Sequence, residues 1–260
     1  VIPYFQIKSY IRHWLHVVDE HSIHSPFFFD FYEKVIRNKN KSESFEDIER
    51  VRKKLLESAM EIDVQDLGAS SAYFKNEKRT LSKVAATSIS PAAVCEFLYR
   101  IVHYQQATSV VELGTSAGIT TLYLSKNLSS LVTTFEGHSV LSDIALTNFE
   151  SFKTKNIKLI QGNIDTTLPD FLQSPAKINF VLMDANHRYE PTIRYFQLLS
   201  RRMAEKGIIV IDDINHSKEM ARAWKELRHH DLVYGSVDLY RCGILFFDPA
   251  LNRQHYTWAL

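Results

Sequence analysis

From residue 88 onward, short apolar runs alternate with stretches of helical spacing, and that rhythm confines the chain to an α/β fold class. Ser109–Leu113, Leu131–Phe135, Ile157–Gln161, Ile178–Met183 and Ile208–Ile211 read as strands. The run over 178–183 is almost wholly apolar, as a strand buried on both faces should be. Between the strands, Pro91–His103, Ile119–Lys126, Val140–Phe152, Pro191–Met203 and Ser217–Arg228 read as helices. Gly235–Tyr240 and Gly243–Phe247 are two further strands, joined by Arg241-Cys242. That connection is too short for a crossover, so the pair must be antiparallel. The expectation is a doubly wound, seven-stranded, mostly parallel sheet ending in an antiparallel strand pair.

Residues 1–86 have a different character and read as a helical N-terminal region, either lid or interface. Ile7, Tyr10, Ile11, Trp14, Leu15 and Val18 share one helical face. Ser25-Pro26 can open a second helix over Phe27–Ile36, with serine as cap and proline at the first position. Glu46–Met60 reads as a charged amphipathic helix on Ile48, Val51 and Leu55. The aromatic cluster of Phe27, Phe28, Phe29, Phe31 and Tyr32 reads as core or interface, with the roof of an acceptor pocket as the alternative. His21-x-x-His24 lacks an evident third ligand and reads as a helix break, and Asp66-Leu67-Gly68-Ala69-Ser70 reads as a turn.

Lysine and arginine number 31 against 30 acids, so no bulk field gathers nucleic acid or an anionic membrane. The only cysteines, Cys95 and Cys242, argue against a disulfide framework. No apolar run approaches the roughly 18 residues of a membrane span. The chain opens on Val1 rather than methionine, so a processed or trimmed chain is the expectation, with no targeting segment in what remains. A cytoplasmic protein is the expectation, with a small-molecule acceptor and neither nucleic acid nor membrane as partner. The aromatic-rich helical region leaves room for a homodimer.

In a doubly wound sheet, ligands gather beyond the carboxyl ends of the strands. Here each such end carries an acid or a glycine. The first is Glu112-Leu113-Gly114-Thr115-Ser116-Ala117-Gly118, followed by Glu136-Gly137-His138 and Gly162-Asn163-Ile164-Asp165. Asp184-Ala185-Asn186-His187 and Asp212-Asp213-Ile214-Asn215-His216 complete the set. The first loop is not a G-x-G-x-x-G phosphate cradle. Its opening acid suits a cationic ligand end, although a tight turn alone would also call for glycine. Glu136 ends the next strand, where an acid can accept hydrogen bonds from a ribose diol.

With these residues in place, the stretch from about Ser88 to Phe247 resembles a class I S-adenosylmethionine-dependent methyltransferase. The motif V-V-E-L-G-T-S-A-G is similar to that family's glycine-rich first motif. T-S-I-S-P, V-L-M-D-A-N-H-R-Y and I-V-I-D-D-I follow the order seen in O-methyltransferases of the catechol and caffeoyl-CoA type and their bacterial relatives. The resemblance implies a Rossmann-like methyltransferase domain over residues 87–260. It implies that Glu112, Gly114 and Gly118 hold the amino-acid end of S-adenosylmethionine, with Thr115, Ser116 and Thr120 as donors to its carboxylate. Glu136 would bind the ribose, Asn163, Ile164 and Asp165 would edge the adenine, and Asp184 would lie beside the sulfonium and the acceptor.

The same resemblance implies an assisting magnesium ion on Asp184, Asp212 and Asp213, the last standing where the family carries asparagine. The alternative for Asp213 is a helix cap. His187 occupies the place of the family's lysine base, and an imidazole is partly neutral at pH 7 and able to accept a hydroxyl proton. His216 is a second candidate base. The implied activity is methyl transfer to a small acceptor, at a hydroxyl oxygen. Rival readings are a nicotinamide-dependent oxidoreductase, a cofactor-binding module without turnover, and a nucleic-acid methyltransferase. The glycine spacing and antiparallel end argue against the first, and the neutral charge argues against the last.

Overall fold

The computed structural model describes residues 4–38, 43–64 and 77–260. The turn expected at 66–70 lies outside them. The first helices are α1 (Tyr4–His16), α2 (Pro26–Phe31) and α3 (Glu46–Leu56), followed by strands β1 (Glu61–Val64) and β2 (Glu77–Thr80). Then come α4 (Leu81–Ser88), α5 (Ala92–Gln105), β3 (Ser109–Leu113), α6 (Ile119–Ser125), β4 (Leu131–Glu136), α7 (Ser139–Ser151), β5 (Ile157–Gln161) and α8 (Ile164–Phe171). The chain continues with β6 (Ile178–Met183), α9 (Tyr189–Ser200), β7 (Met203–Ile211) and α10 (Lys218–Leu227). It closes with β8 (Gly235–Asp238), β9 (Gly243–Phe246) and β10 (Gln254–Thr257). Among the described residues no helix is long and apolar enough to cross a membrane.

Parallel pairs of strands with helices between them run through the chain, so the α/β fold class is the expected one, with one strand more beyond residue 88 than predicted. The addition is β10. The chain divides into two compact units, Asn38–Phe171 and Val1–Arg37 with Leu172–Leu260.

In the unit Asn38–Phe171, β3, β4 and β5 run parallel in that order, with Glu112 opposite Thr134 and Glu136 opposite Gln161. β1 and β2 form a separate antiparallel ribbon. The core gathers Ile48 and Leu55 of α3, Leu81 and Ala85 of α4, and Leu122 and Tyr123 of α6. Arg52 is buried with them. It pairs with Glu49 and donates to the Ser90 carbonyl at 2.5 Å, so its charge is met on both sides. α3 stops at Leu56, four residues short of the expected end.

In the other unit the strand order is β10-β8-β9-β7-β6. β6 and β7 are parallel, whereas β9 is antiparallel to both β7 and β8, as its short connection requires. Pro26 starts α2 as expected, but the helix widens into a π-helical turn over Tyr32–Arg37 instead of running straight to Ile36. The phenylalanine cluster is mainly core: Phe28 and Phe31 are fully buried against Phe246 and Trp258, and Phe29 is exposed.

Gly235 is the close-approach point of this packing. A Cβ there would lie 2.5 Å from Phe28 Cζ. Gly235→Ala should therefore cost about 1–3 kcal/mol by overpacking. In a Phe28→Ala background the ring is gone, and the same change should cost much less, as urea unfolding of the four proteins of the cycle would show. Equal costs in both backgrounds would contradict the packing.

Candidate active site

Each unit carries part of the predicted set. In the unit Asn38–Phe171, the centre is Glu112 at the end of β3, fully buried. Thr121 donates to its Oε2 at 2.5 Å and Thr134 at 2.6 Å. Oε1 is equally buried and has no hydrogen-bond partner among the described residues. Burial pushes the Glu112 carboxyl up to about 7, the two threonines pull the other way, and the charge of Glu136 adds to the rise.

The loop after β3 turns sharply through left-handed backbone at Gly114 (φ 101°), Ser116 (φ 50°) and Gly118 (φ 82°). At Gly118 a Cβ would also lie 2.6 Å from the Phe149 ring, so glycine is needed there twice over. Glu136 at the end of β4 fastens this loop: one oxygen accepts the Ser116 N–H at 2.7 Å and the other the His138 N–H at 2.8 Å. Burial raises the pKa of Glu136, and those two N–H groups oppose the rise.

Not every loop hydroxyl faces outward. Thr115 is buried, with its hydroxyl 2.5 Å from that of Thr134. Thr120 is buried with its hydroxyl 3.7 Å from Cys95 Sγ. Both were expected to donate to a ligand carboxylate, and both instead contact the protein interior. Ser116 keeps a half-buried position, with its hydroxyl 2.7 Å from that of Ser88, a neighbour that sequence reasoning missed. Asn163 turns its side-chain oxygen to the Asp165 N–H at 2.9 Å. It thereby opens α8, burying Ile164 and exposing Asp165.

In the unit containing β6 and β7, Asp184 follows β6, and Asp212 and Asp213 follow β7. His187 sits in left-handed backbone (φ 29°), with Nε2 3.5 Å from Asp184 Oδ1. Burial lowers its pKa, against the fields of Asp213 and Asp212, so the ring is neutral at pH 7. The neighbouring Asn186 is also left-handed and donates to the Tyr195 hydroxyl at 2.7 Å. His216 lies with Nδ1 4.0 Å from Asp213 Oδ2, and its ring is 6.3 Å from that of His187. Asp213 does not cap α10; Ser217 does, accepting the Met220 N–H at 3.1 Å.

Asp212 is almost fully buried, and Arg241 grips it. Nε lies 3.0 Å from Oδ1 and Nη2 2.7 Å from Oδ2. In the sequence Arg241 stands only as part of a strand connection. Among the described residues no three His, Cys, Asp or Glu side chains come together as a metal-ligand set.

The comparisons agree with the fold. A family model described as a methyltransferase domain matches residues 111–214. An O-methyltransferase from Bacillus cereus, solved with S-adenosylhomocysteine, is 16% identical; the match covers 84% of this chain and 94% of that one, with a TM-score of 0.56. A methyltransferase from Podospora anserina, also bound to S-adenosylhomocysteine, is 12% identical over 81% of this chain and 99% of that one, with a TM-score of 0.56. An O-methyltransferase from Streptomyces achromogenes involved in tomaymycin synthesis is 15% identical over 62% and 82%, with a TM-score of 0.55. No curated protein matches the chain. The methyltransferase fold that the resemblance implies is borne out.

The two implied groups fare differently against these residues. A buried carboxylate oxygen lacking a donor is what an ammonium group would satisfy, so the Glu112 end fits S-adenosylmethionine. The magnesium expectation does not fit, because the most buried of its three carboxylates already has both oxygens on a guanidinium.

The burial of Glu112 has a measurable consequence. A carboxyl whose pKa is higher folded than unfolded holds its proton more tightly when folded. Glu112 therefore costs stability progressively as pH rises from about 4.5 to about 7. Glu112→Gln should gain on wild type over that window, by at most about 3 kcal/mol at 1.36 kcal/mol per pKa unit. Urea midpoints of both proteins at pH 5 and pH 8 check this. A stability difference independent of pH would contradict it.

Proposed function

We propose that the chain transfers a methyl group from S-adenosylmethionine to a hydroxyl oxygen of a small molecule. The observation that carries this reading is the sealed Glu112 carboxyl, with one oxygen satisfied and the other waiting for a cation, beside a glycine loop fastened by Glu136. The methyltransferase-domain match and the structural neighbours bound to the cofactor or its product support it.

Glu112 would take the ammonium group, and the backbone of Gly114, Ser116 and Gly118 would line the amino-acid end. Glu136 would accept from the ribose hydroxyls while keeping its two backbone donors, since a carboxylate has about four acceptor positions. Asn163, Ile164 and Asp165 would edge the adenine. When bound, S-adenosylmethionine supplies an electrophilic methyl carbon on a positively charged sulfur. Because that carbon needs no activation by the protein, the chain's task is to align the acceptor oxygen and exclude water. His187, kept neutral by burial, takes the hydroxyl proton, and Asp184 beside it stabilises the imidazolium that results. His216 is the weaker candidate because it is mostly exposed. No step runs through a divalent ion. The helices before residue 86 would select the acceptor.

Calorimetric titration with S-adenosylhomocysteine tests the reading. Wild type should bind in the micromolar range. Glu136→Ala should bind at least about tenfold more weakly, since a hydrogen bond to a charged group is worth roughly 1.5–3 kcal/mol. Unchanged affinity would remove the ribose assignment, and binding of a nicotinamide dinucleotide in place of S-adenosylhomocysteine would overturn the function. Affinity should also weaken about tenfold from pH 8 to pH 6, because protonation of Glu112 near pH 7 competes with the ammonium group. A flat profile would contradict that contact.

A further inference from the structure

We propose that Arg241 is the resident cation of the acidic cluster after β6 and β7, and that the chain takes no divalent ion there. The place of this cluster in the reaction rests on the methyl-transfer reading; its cation does not.

Three carboxylates at strand ends invite a hard cation. Here one is already present as a side chain. Asp212, the most buried of the three, faces Arg241 in a two-pronged grip, with Nε at 3.0 Å and Nη2 at 2.7 Å. This fork is the geometry in which guanidinium and carboxylate bind most strongly. Magnesium needs oxygens at roughly 2.0–2.1 Å and sheds its water reluctantly. To reach Asp212 it must sit against a fixed like charge or expel the guanidinium.

The turn that presents the guanidinium is fastened on several sides. The Arg241 carbonyl accepts the Ile214 N–H at 3.0 Å, two residues from Asp212 itself. The Tyr240 carbonyl accepts from the Asn215 side chain at 2.8 Å, on the same loop. Tyr240 is held left-handed (φ 65°), with its N–H on Asp238 at 2.9 Å. Its hydroxyl donates to the Gln6 carbonyl of α1 at 2.9 Å. The turn that presents the cation and the loop that presents the acids are thus one hydrogen-bonded piece.

The charge itself is secure. Burial works against it, but the hydrogen bonds it donates to Asp212 and the fields of Asp212, Asp213 and Asp184 hold Arg241 above the ordinary guanidinium range. A fixed guanidinium differs from a metal in what it asks of the acceptor. A chelated ion favours two adjacent oxygens, whereas this site makes no such demand, so acceptors with a single hydroxyl qualify.

Manganese, followed by the electron paramagnetic resonance of the free ion, is the probe. Wild type is expected to leave the free signal unchanged at millimolar metal. Arg241→Met uncovers Asp212 and is expected to take up one ion per chain; adding Asp212→Asn should abolish that uptake. Wild-type uptake that Asp212→Asn removes overturns the proposal, and so does a folded Arg241→Met that takes up nothing. Arg241→Gln replaces it should the methionine variant not fold. S-adenosylhomocysteine affinity is measured on the same samples. Its absence in wild type would overturn the methyl-transfer reading and leave the cation assignment standing.

Discussion

A carboxyl sealed at the end of a parallel strand is costly unless something meets its charge. In this chain Glu112 has two threonine hydroxyls on one oxygen and, among the described residues, no partner on the other. Those threonines come from α6 and β4, so the carboxyl binds together the strand, the helix after it and the neighbouring strand. Thr134 is shared with Thr115, which carries the same network into the glycine loop. Glu136 completes the frame by holding that loop through the Ser116 N–H. The loop's left-handed residues are thus fixed from two sides before any ligand arrives, and such preorganisation reduces the ordering cost of binding.

The unit containing β6 and β7 solves a different electrostatic problem. Its strand ends place Asp184, Asp212 and Asp213 on neighbouring loops, where repulsion would spread them apart. Arg241 answers the most buried of them, and the neutral ring of His187 lies beside another. Left-handed backbone at Asn186, His187, Asp213 and Tyr240 is the local strain of this arrangement. Strain of this kind persists where the surrounding structure over-determines it, and it gathers at functional sites.

Much of the sheet could be read from the sequence because buried parallel strands leave long apolar runs. β3 and β6 fall on their expected residues for this reason, and β5 does so although it is only half-buried. The strands that escaped notice are polar: Gln254–Thr257 pairs only along the sheet's edge, and the ribbon of Glu61–Val64 with Glu77–Thr80 is rich in charge. α8 was missed because it is short and contains Pro169. Among site residues, position was legible and direction was not. The spacing put Thr115 and Thr120 in the right loop, but whether a hydroxyl faces in or out depends on Thr134 and Cys95, which are distant in sequence. Arg241 carried no signal, since a tight turn has no periodicity and only the fold brings it to Asp212.

The pivot of the site is the unsatisfied oxygen of Glu112. A crystal structure of the chain with S-adenosylhomocysteine puts it to the test. The ligand's amino nitrogen is expected within a hydrogen bond of Glu112 Oε1, at about 2.7–3.2 Å. A ligand bound elsewhere, or bound here with that nitrogen turned away from Glu112, would contradict it.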